Sequence, residues 1–569
     1  MNDARWAGLR HLSLLRPPPI KVARQQTAVV AAAVVLAAIT MAVNVQSARA
    51  NSATFDESIY LFLGRQQLLQ ADARALADLG VAPLPVRATW TTGVLDPVSV
   101  DHNTASLFRL RISRARQNAI LLFAVPLVLA ILWWVSAGYG PLAGVTAATV
   151  VALSPNVIAH ASLATTDVAF AAAFIVSIAA LMAYLRQRTW FRALALAAAL
   201  GTAIAAKYSG LGLVATALVV FVVDWRTNRV RNAAARDALV LAGAAVVSWA
   251  WHGWATAPML APDGVAVSLV RTALGWTGFG EAIANRLADV SAPIMIRGVA
   301  AQAYLDRAGQ KGFLLGQVSQ VGWWYFYPLA LAMKATMVEL AALAAFAVLA
   351  WRRAPRDAER TVVLTAAVIF FGVSLLSHRA LGIRYVLAPF VLAVVAGTAW
   401  AFGAVRDTRV RYALAAVVIA AQSWTFLSIA PQHLAYFNGL AGGPANGYRR
   451  LVDSNLDWGQ DLYRLAAWSK AHPERRIGLG YFGLAPLAAY DVQATSWRSL
   501  VEATGNGRAD TVVISATYLQ GVFLCGDPFA ALRDIEPVAR IGYTLLAYDA
   551  ARDDVRRAIA AAARDPCAP

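Results

Sequence analysis

The sequence predicts an α-helical integral membrane protein of about eleven transmembrane helices, closed by a small extracytoplasmic α/β domain. Composition, a series of apolar stretches and the side on which the arginines fall predict it together. Of 569 residues, 59% are apolar or aromatic and only 14% are charged, against roughly 25% charged in an ordinary soluble domain, and mean hydropathy is +0.54. A soluble chain of this length would divide into domains of roughly 100–200 residues; this composition places the bulk of the chain in lipid instead. The net charge of +18 would suggest nucleic acid in a soluble protein. Here the basic residues punctuate apolar runs, so they act as topology signals and no nucleic-acid partner is expected. With 2 cysteines, no CxxC pair or Cys/His cluster, no internal repeat and no P-loop, the sequence offers no disulfide scaffold, zinc site, solenoid or nucleotide cradle.

Apolar stretches of about 17–25 residues fall near 27–46, 117–136, 141–158, 168–185, 190–206, 210–224, 237–256, 327–351, 361–377, 385–403 and 412–430. The first follows Arg5, Arg10, Arg16, Lys21 and Arg24, which puts segment 1–26 in the cytoplasm. Ala48-Arg49-Ala50 is shaped like a signal-peptide cleavage site, yet the run before it exceeds the usual 7–15-residue apolar region, so an uncleaved anchor is expected. Arg186/Arg188/Arg192, Arg226/Arg229/Arg231/Arg236, Arg352/Arg353/Arg356/Arg360 and Arg406/Arg409/Arg411 then share the cytoplasmic side as spans alternate. Residues 27–430 are thus the membrane domain, with outer loops near 47–116 and 257–326, and 431–569 are exported. The expected location is the bacterial cytoplasmic (inner) membrane. In the tail, strand-like runs Ile477–Phe482, Thr511–Ser515 and Ile541–Tyr548 alternate with helical Leu462–Lys470 and Val555–Ala563, the pattern of a small α/β domain. Cys525 and Cys567 both lie there, where an oxidising compartment would allow a disulfide.

Charged residues at the outer boundary carry the chemistry. Thr54-Phe55-Asp56-Glu57-Ser58-Ile59-Tyr60 sets two adjacent carboxylates just beyond the first span. Asp56 is also readable as the N-cap of an amphipathic helix running through Leu69, and a cap is compatible with catalysis. Asp167, in Thr165-Thr166-Asp167, is the only acid between Asp101 and Asp224; a carboxylate at the edge of hydrocarbon is a functional-site hypothesis, with a cap for the fourth span as the structural alternative. His160 by itself reads as a satisfied interfacial histidine. Lys207, Lys334, Arg379 and Arg384 fall on the outer side, where the positive-inside rule does not explain them. Cations there suit a lipid phosphate, and snorkelling anchors are the alternative. Asp453-Ser454-Asn455-Leu456-Asp457-Trp458-Gly459-Gln460-Asp461 fails as a calcium loop, because Trp458 stands where Gly is needed and Arg464 where the closing Glu belongs. A turn and a capped helix, facing the membrane-side cavity, are expected instead.

At these residues the sequence resembles the lipid-carrier-dependent glycosyltransferases of family 39, in the C-type multispanning superfamily, over nearly the whole chain. The resemblance rests on Phe55-Asp56-Glu57, His160 with Thr165-Thr166-Asp167, Lys207-Tyr208-Ser209-Gly210, and Gly322-Trp323-Trp324-Tyr325-Phe326-Tyr327-Pro328 with Lys334. Gly382-Ile383-Arg384-Tyr385, Tyr436-Phe437-Asn438, Gly442-Gly443-Pro444 and the run Asp453–Asp461 complete it. Among the relatives, protein O-mannosyltransferases carry a larger inserted domain than the loop near 257–326 allows, and lipid A aminoarabinose transferases have more spans. The resemblance implies a C-type arrangement of the helices and a hexosyl or pentosyl transferase. It would move a sugar from polyprenyl phosphate to a hydroxyl of a glycan, lipid or protein, with inversion. Asp56 would be the general base. Glu57 or Asp167 would orient the acceptor or, with His160, hold a divalent metal, a requirement left open. Lys207, Lys334, Arg379 and Arg384 would hold the carrier phosphate, and His160, Tyr208, Asp453 and Asp457 would support the acceptor side. The competing class is a transporter or lipid flippase, which would favour internal repeats and broken helices; no repeat is visible, and the acids gather at one face.

Overall fold

The computed structural model describes residues 19–61, 76–77, 80–89, 104–227, 233–258, 286, 290–352, 358–502 and 510–564. Among the described residues eight helices are long and apolar enough to cross a membrane, and the bent pair Pro141–Ala152 and Pro155–Ala161 makes a ninth. Two shorter apolar helices, Trp190–Ala206 and Met337–Trp351, bring the series to the eleven expected stretches. The chain is an integral membrane protein.

Three stretches differ in detail from expectation. The second starts about three turns earlier than its apolar run, as Ala105–Tyr139, so part of the expected outer loop is helix carrying Arg109, Arg111, Arg114 and Arg116. The third bends by 64° at Ser154-Pro155, where Pro155 removes a backbone donor and Ser154 Oγ caps the new start by accepting from Val157 N. The eighth is not continuous: Phe326–Lys334 ends and Met337–Arg352 begins across Ala335-Thr336.

Ile383–Ala404 is the central element. Its core window is 89% buried inside the protein, against 22% for Gln26–Ala50 and 17% for Thr408–Ile429. A helix apolar on every face belongs inside a bundle, and this one packs against Pro141–Ala152, Thr166–Arg186, Met337–Arg352 and Ala358–Leu376. Gly397 permits the tightest of these contacts, since a Cβ there would overlap the Ala342 carbonyl.

The tail folds as a five-stranded sheet with flanking helices. Its strands are β1 (Arg476–Gly480), β2 (Thr495–Ser496), β3 (Asp510–Ser515), β4 (Ala539–Ile541) and β5 (Leu545–Asp549), in spatial order β2-β1-β3-β5-β4. β1 pairs in parallel with β2 and β3, and β5 runs antiparallel to β3 and β4. Central β3 is buried at every position, which its Val512-Val513-Ile514 run provides. The single strand expected over Ile541–Tyr548 is instead a hairpin, because Gly542 at φ 63° turns the chain. Helices Leu462–Ala471 and Asp553–Ala563 complete the layer. Cys525 is disulfide-bonded; Cys567 lies outside the described residues, as does segment 1–18.

Candidate active site

The site begins where the first long helix ends. Glu57 reaches back to cap its own helix: its carboxylate accepts from Thr54 N at 3.0 Å and Thr54 Oγ1 at 3.1 Å, at the start of a helix that runs from 55 to 61. Asp56 is therefore not the expected cap but a first-turn residue whose side chain is free for other partners; the helix beyond 61 lies outside the described residues. The same start is pinned to the tail domain, with Ser52 N donating to Gln460 O and Phe55 N to Trp458 O, both at 2.9 Å.

Glu57 is fully buried and does not line the cavity that its neighbour Asp56 lines. Arg116 holds it with Nε to Oε1 at 2.8 Å and Nη2 to Oε2 at 2.7 Å, and Ala164 N donates to Oε1 at 3.0 Å. Burial pushes its carboxyl up, but the Arg116 charge and hydrogen bonds, with the Thr54 and Ala164 amides, hold it below the usual carboxylate range. Arg116 spends its remaining donors on the carbonyls of Ala48, Asn51 and Ser52. This clamp holds the end of the first helix, which runs unbroken through Ala48-Arg49-Ala50.

Asp56 instead lines a cavity of about 670 Å³. Its Oδ2 accepts from Arg384 Nη1 at 2.6 Å, and its side chain keeps 18% exposure. Behind Arg384, at 3.7 Å, lies the fully buried Asp167 carboxylate, which also takes Lys207 Nζ at 2.8 Å. Asp167 is a first-turn residue of Thr166–Arg186, where Thr165 is the cap, so the expected capping role gives way to a charge link between Lys207 and Arg384. Lys207 caps the end of Trp190–Ala206, which aims it into the same space.

Three cations meet over one ring. Lys207, Arg384 and Arg379 stand 4.7, 5.1 and 5.5 Å from the Tyr385 centroid, and all four residues line the cavity. Arg384 also lies 4.4 Å over Trp458. Arg379 makes long contacts to Gln302 and Gln310 at 3.5 and 3.4 Å. The Nε atoms of Arg379 and Arg384 are buried and have no hydrogen-bond partner, an expensive condition for a donor unless a ligand completes it.

Arg384 is set in place by a close approach of two turns. A Cβ on Gly382 would overlap Ser454 Oγ; Ile383 N donates to Asn455 Oδ1 at 3.0 Å, and Asn455 Nδ2 to Leu381 O at 2.9 Å. The run Asp453–Asp461 thus docks on the membrane helices, with Asp453 at the cavity wall in a left-handed conformation, φ 54°. Burial raises the Asp453 carboxyl to about 7, with Arg384 opposing and Asp56 reinforcing the shift.

The remaining expected residues divide. Tyr208 lines the cavity, its hydroxyl 3.1 Å from His252 Nε2. His160 is buried behind Trp458, ring edge-on at 6.0 Å, with Nδ1 unpartnered. Asp457 is buried in the tail domain, accepting from Thr517 N at 2.9 Å. Lys334 is not at the cavity: the helix break beside it lets Nζ donate to Leu434 O at 2.8 Å and Asn455 O at 2.6 Å, so it ties chain segments together instead of waiting for a phosphate. Glu57, Asp167 and His160 make no metal set, since the two carboxylates are committed to Arg116 and Lys207. Among the described residues no group of three or more His, Cys, Asp or Glu could hold a metal ion.

Sequence reasoning missed Tyr385, though it stands in a motif it singled out, and Arg116, whose signal was an arginine at the expected outer end of an apolar run. It also missed Gln302, Asp306 and Gln310 from the second loop, which line the cavity and carry no sequence pattern.

Residues 93–258 match the model of the dolichyl-phosphate-mannose-protein mannosyltransferase family. Over those residues the family 39 resemblance holds. With it stands the coarse reading of a membrane glycosyltransferase. No curated protein matches the chain. Among solved structures the chain is similar to ArnT from Cupriavidus metallidurans bound to undecaprenyl phosphate, at 16% identity and a TM-score of 0.31, covering 92% of this chain and 98% of that one. The same protein in the apo state gives 15% identity, a TM-score of 0.28 and the same coverage.

Proposed function

We propose that this glycosyltransferase takes its sugar from a polyprenyl-phosphate carrier and transfers it to an acceptor hydroxyl, inverting the anomeric centre. The observation that carries this reading is the pair of buried, unpartnered Nε donors on Arg379 and Arg384, grouped with Lys207 in the cavity that Asp56 lines. Unpaired guanidinium donors beside a third cation suit a phosphate. In the reaction, Asp56 takes the acceptor proton as the hydroxyl oxygen bonds to the anomeric carbon. The bond from that carbon to the phosphate oxygen breaks, and its electron pair leaves with the phosphate, where the cations stabilise the growing charge. Phe370 and Val373, from helix Ala358–Leu376, add an apolar wall suited to the start of a lipid chain.

The proposed setting is the bacterial inner membrane, with the N-terminus cytoplasmic and the cavity and tail domain outside, as the arginine pattern supports. No step is routed through a metal, because the acids present do not converge on one. The test is the full chain in nanodiscs, given a panel of polyprenyl-phosphate hexoses and pentoses with envelope membranes as acceptor. The expected result is release of polyprenyl phosphate with a product of inverted anomeric configuration; no release from any donor would contradict the proposal.

A further inference from the structure

The cavity has two unlike walls. Lys207, Arg384, Tyr385 and Phe370 come from the membrane helices and their ends, whereas Phe482 and Phe523 come from the tail domain. Phe482 stacks on Phe55 with centroids 5.3 Å apart and planes 14° apart, and on Phe523 at 4.9 Å and 25°. Tyr518 backs Phe482 edge-on at 5.8 Å. Phe482 is buried, whereas Phe523 is 37% exposed. The ring of Phe523 is thus partly open on the cavity that the cations line.

Phe523 is also held there under strain. Its φ is 63°, a region that residues with a Cβ rarely adopt. The loop is kept in that shape from both ends. Gly521 turns it at φ 73°, Lys311 Nζ donates to the carbonyls of Leu524 and Cys525, and Cys525 is disulfide-bonded. An anchored loop that forces an aromatic ring into a cavity is a presentation device.

Resting on the glycosyltransferase reading, we infer that Phe523, with Phe482 and Phe55 against it, is the acceptor platform, and that the group it takes is a sugar ring. One face of a pyranose carries polarised C–H bonds that sit well on the negative face of an aromatic ring, while its hydroxyls stay at the rim. Phe55, Phe523 and Asp56 line the same cavity, so a ring lying on this stack has its hydroxyl edge within the space that the general base faces. A peptide acceptor held by strand addition would need a strand edge, and none of β1–β5 lines this cavity. A plain lipid chain has no use for a π face on the wall that the tail domain supplies.

The experiment uses the full chain in nanodiscs, the carrier-linked sugar that proves active, and envelope membranes as acceptor source, with linkage analysis of the product. The expected product carries the transferred sugar on a hydroxyl of another sugar; attachment to Ser or Thr, or to a lipid without sugar, overturns the inference. Phe523→Ala should raise the acceptor KM about tenfold, the scale of one aromatic contact, and leave the carrier KM unchanged. Phe523→Tyr should restore the acceptor KM and Phe523→Leu should not, since Leu keeps the bulk without the π face. An acceptor KM indifferent to Ala, or fully restored by Leu, overturns the platform. Polyprenyl phosphate release is recorded in the same runs: a wild type that releases none contradicts the glycosyltransferase reading itself, whereas release with an acceptor KM indifferent to residue 523 contradicts only the platform.

Discussion

Around Glu57 every polar atom is occupied, whereas around Asp56, one residue earlier, donors remain to be filled. Arg116 presents five N–H groups and uses them on two carboxylate oxygens and three carbonyls. Arg384 holds Asp56 through one nitrogen and leaves Nε buried without a partner. The first ion pair is closed, with side chains 3% and 0% exposed; the second, at 10% and 18%, opens on a cavity. The Arg116–Glu57 pair, whose partners are complete, serves the fold, whereas Arg384, whose partners are incomplete, faces the cavity.

The largest effect to test is on the closed side. Glu57→Gln leaves the Arg116 charge buried without its counter-ion, and breaking such a pair costs about 3–5 kcal/mol. Thermal unfolding in detergent should show a strongly lowered transition for Glu57→Gln and little change for Asp56→Asn; equal stability of the two variants would mean that the clamp does not stabilise the fold.

A second contrast sets Arg384 against Lys334. Arg384→Lys removes the fork that reaches both Asp56 and the phosphate site, so it should lower turnover and weaken the carrier KM about tenfold or more, the scale of a charge-assisted hydrogen bond. Lys334→Met unpairs two buried carbonyls and should destabilise by about 1–3 kcal/mol without moving the carrier KM. If Lys334→Met weakens the carrier KM as much as Arg384→Lys does, the assignment of the two cations is wrong.

These contrasts also mark what the sequence could tell. The spans were legible because lipid demands long apolar runs, and Asp56 was legible because paired carboxylates beside a span are rare. Which acid of the pair stays open was not legible: it is decided by Arg116, 59 positions away, and by the Thr54 amide and hydroxyl, which donate to Glu57. Lys334 misled because the break at Ala335-Thr336, and the carbonyls from 434 and 455 that capture Nζ, arise only in three dimensions. The hairpin within 541–548 did have a signal, Gly542 inside a strand-like run. Gln302, Asp306 and Gln310 had none, since polar residues in a loop look alike until the loop packs.

The smallest expected effect concerns Asp457, buried on the tail-domain side. Burial, reinforced by the Asp461 charge, raises its carboxyl from the ordinary 3.8 to about 7, although Thr517 and the Gly459 amide pull the other way. A raised acid binds more protons folded than unfolded, so its contribution to stability is whole below about 4 and lost as pH rises through about 7. Asp457→Asn should therefore reduce the fall in unfolding temperature between pH 5 and pH 8, by about 1 °C for each 1 kcal/mol recovered in a chain of this length. A pH profile identical to wild type would place the titrating group elsewhere.

The central claim is that Asp56 is the base of a site whose phosphate is held by its neighbours. Single-turnover transfer by Asp56→Asn, measured beside equilibrium binding of the carrier, tests it most directly. The account predicts carrier affinity within about threefold of wild type and a chemical step slowed by about 10²–10⁴. An Asp56→Asn enzyme that transfers sugar at more than about a tenth of the wild-type rate would contradict it.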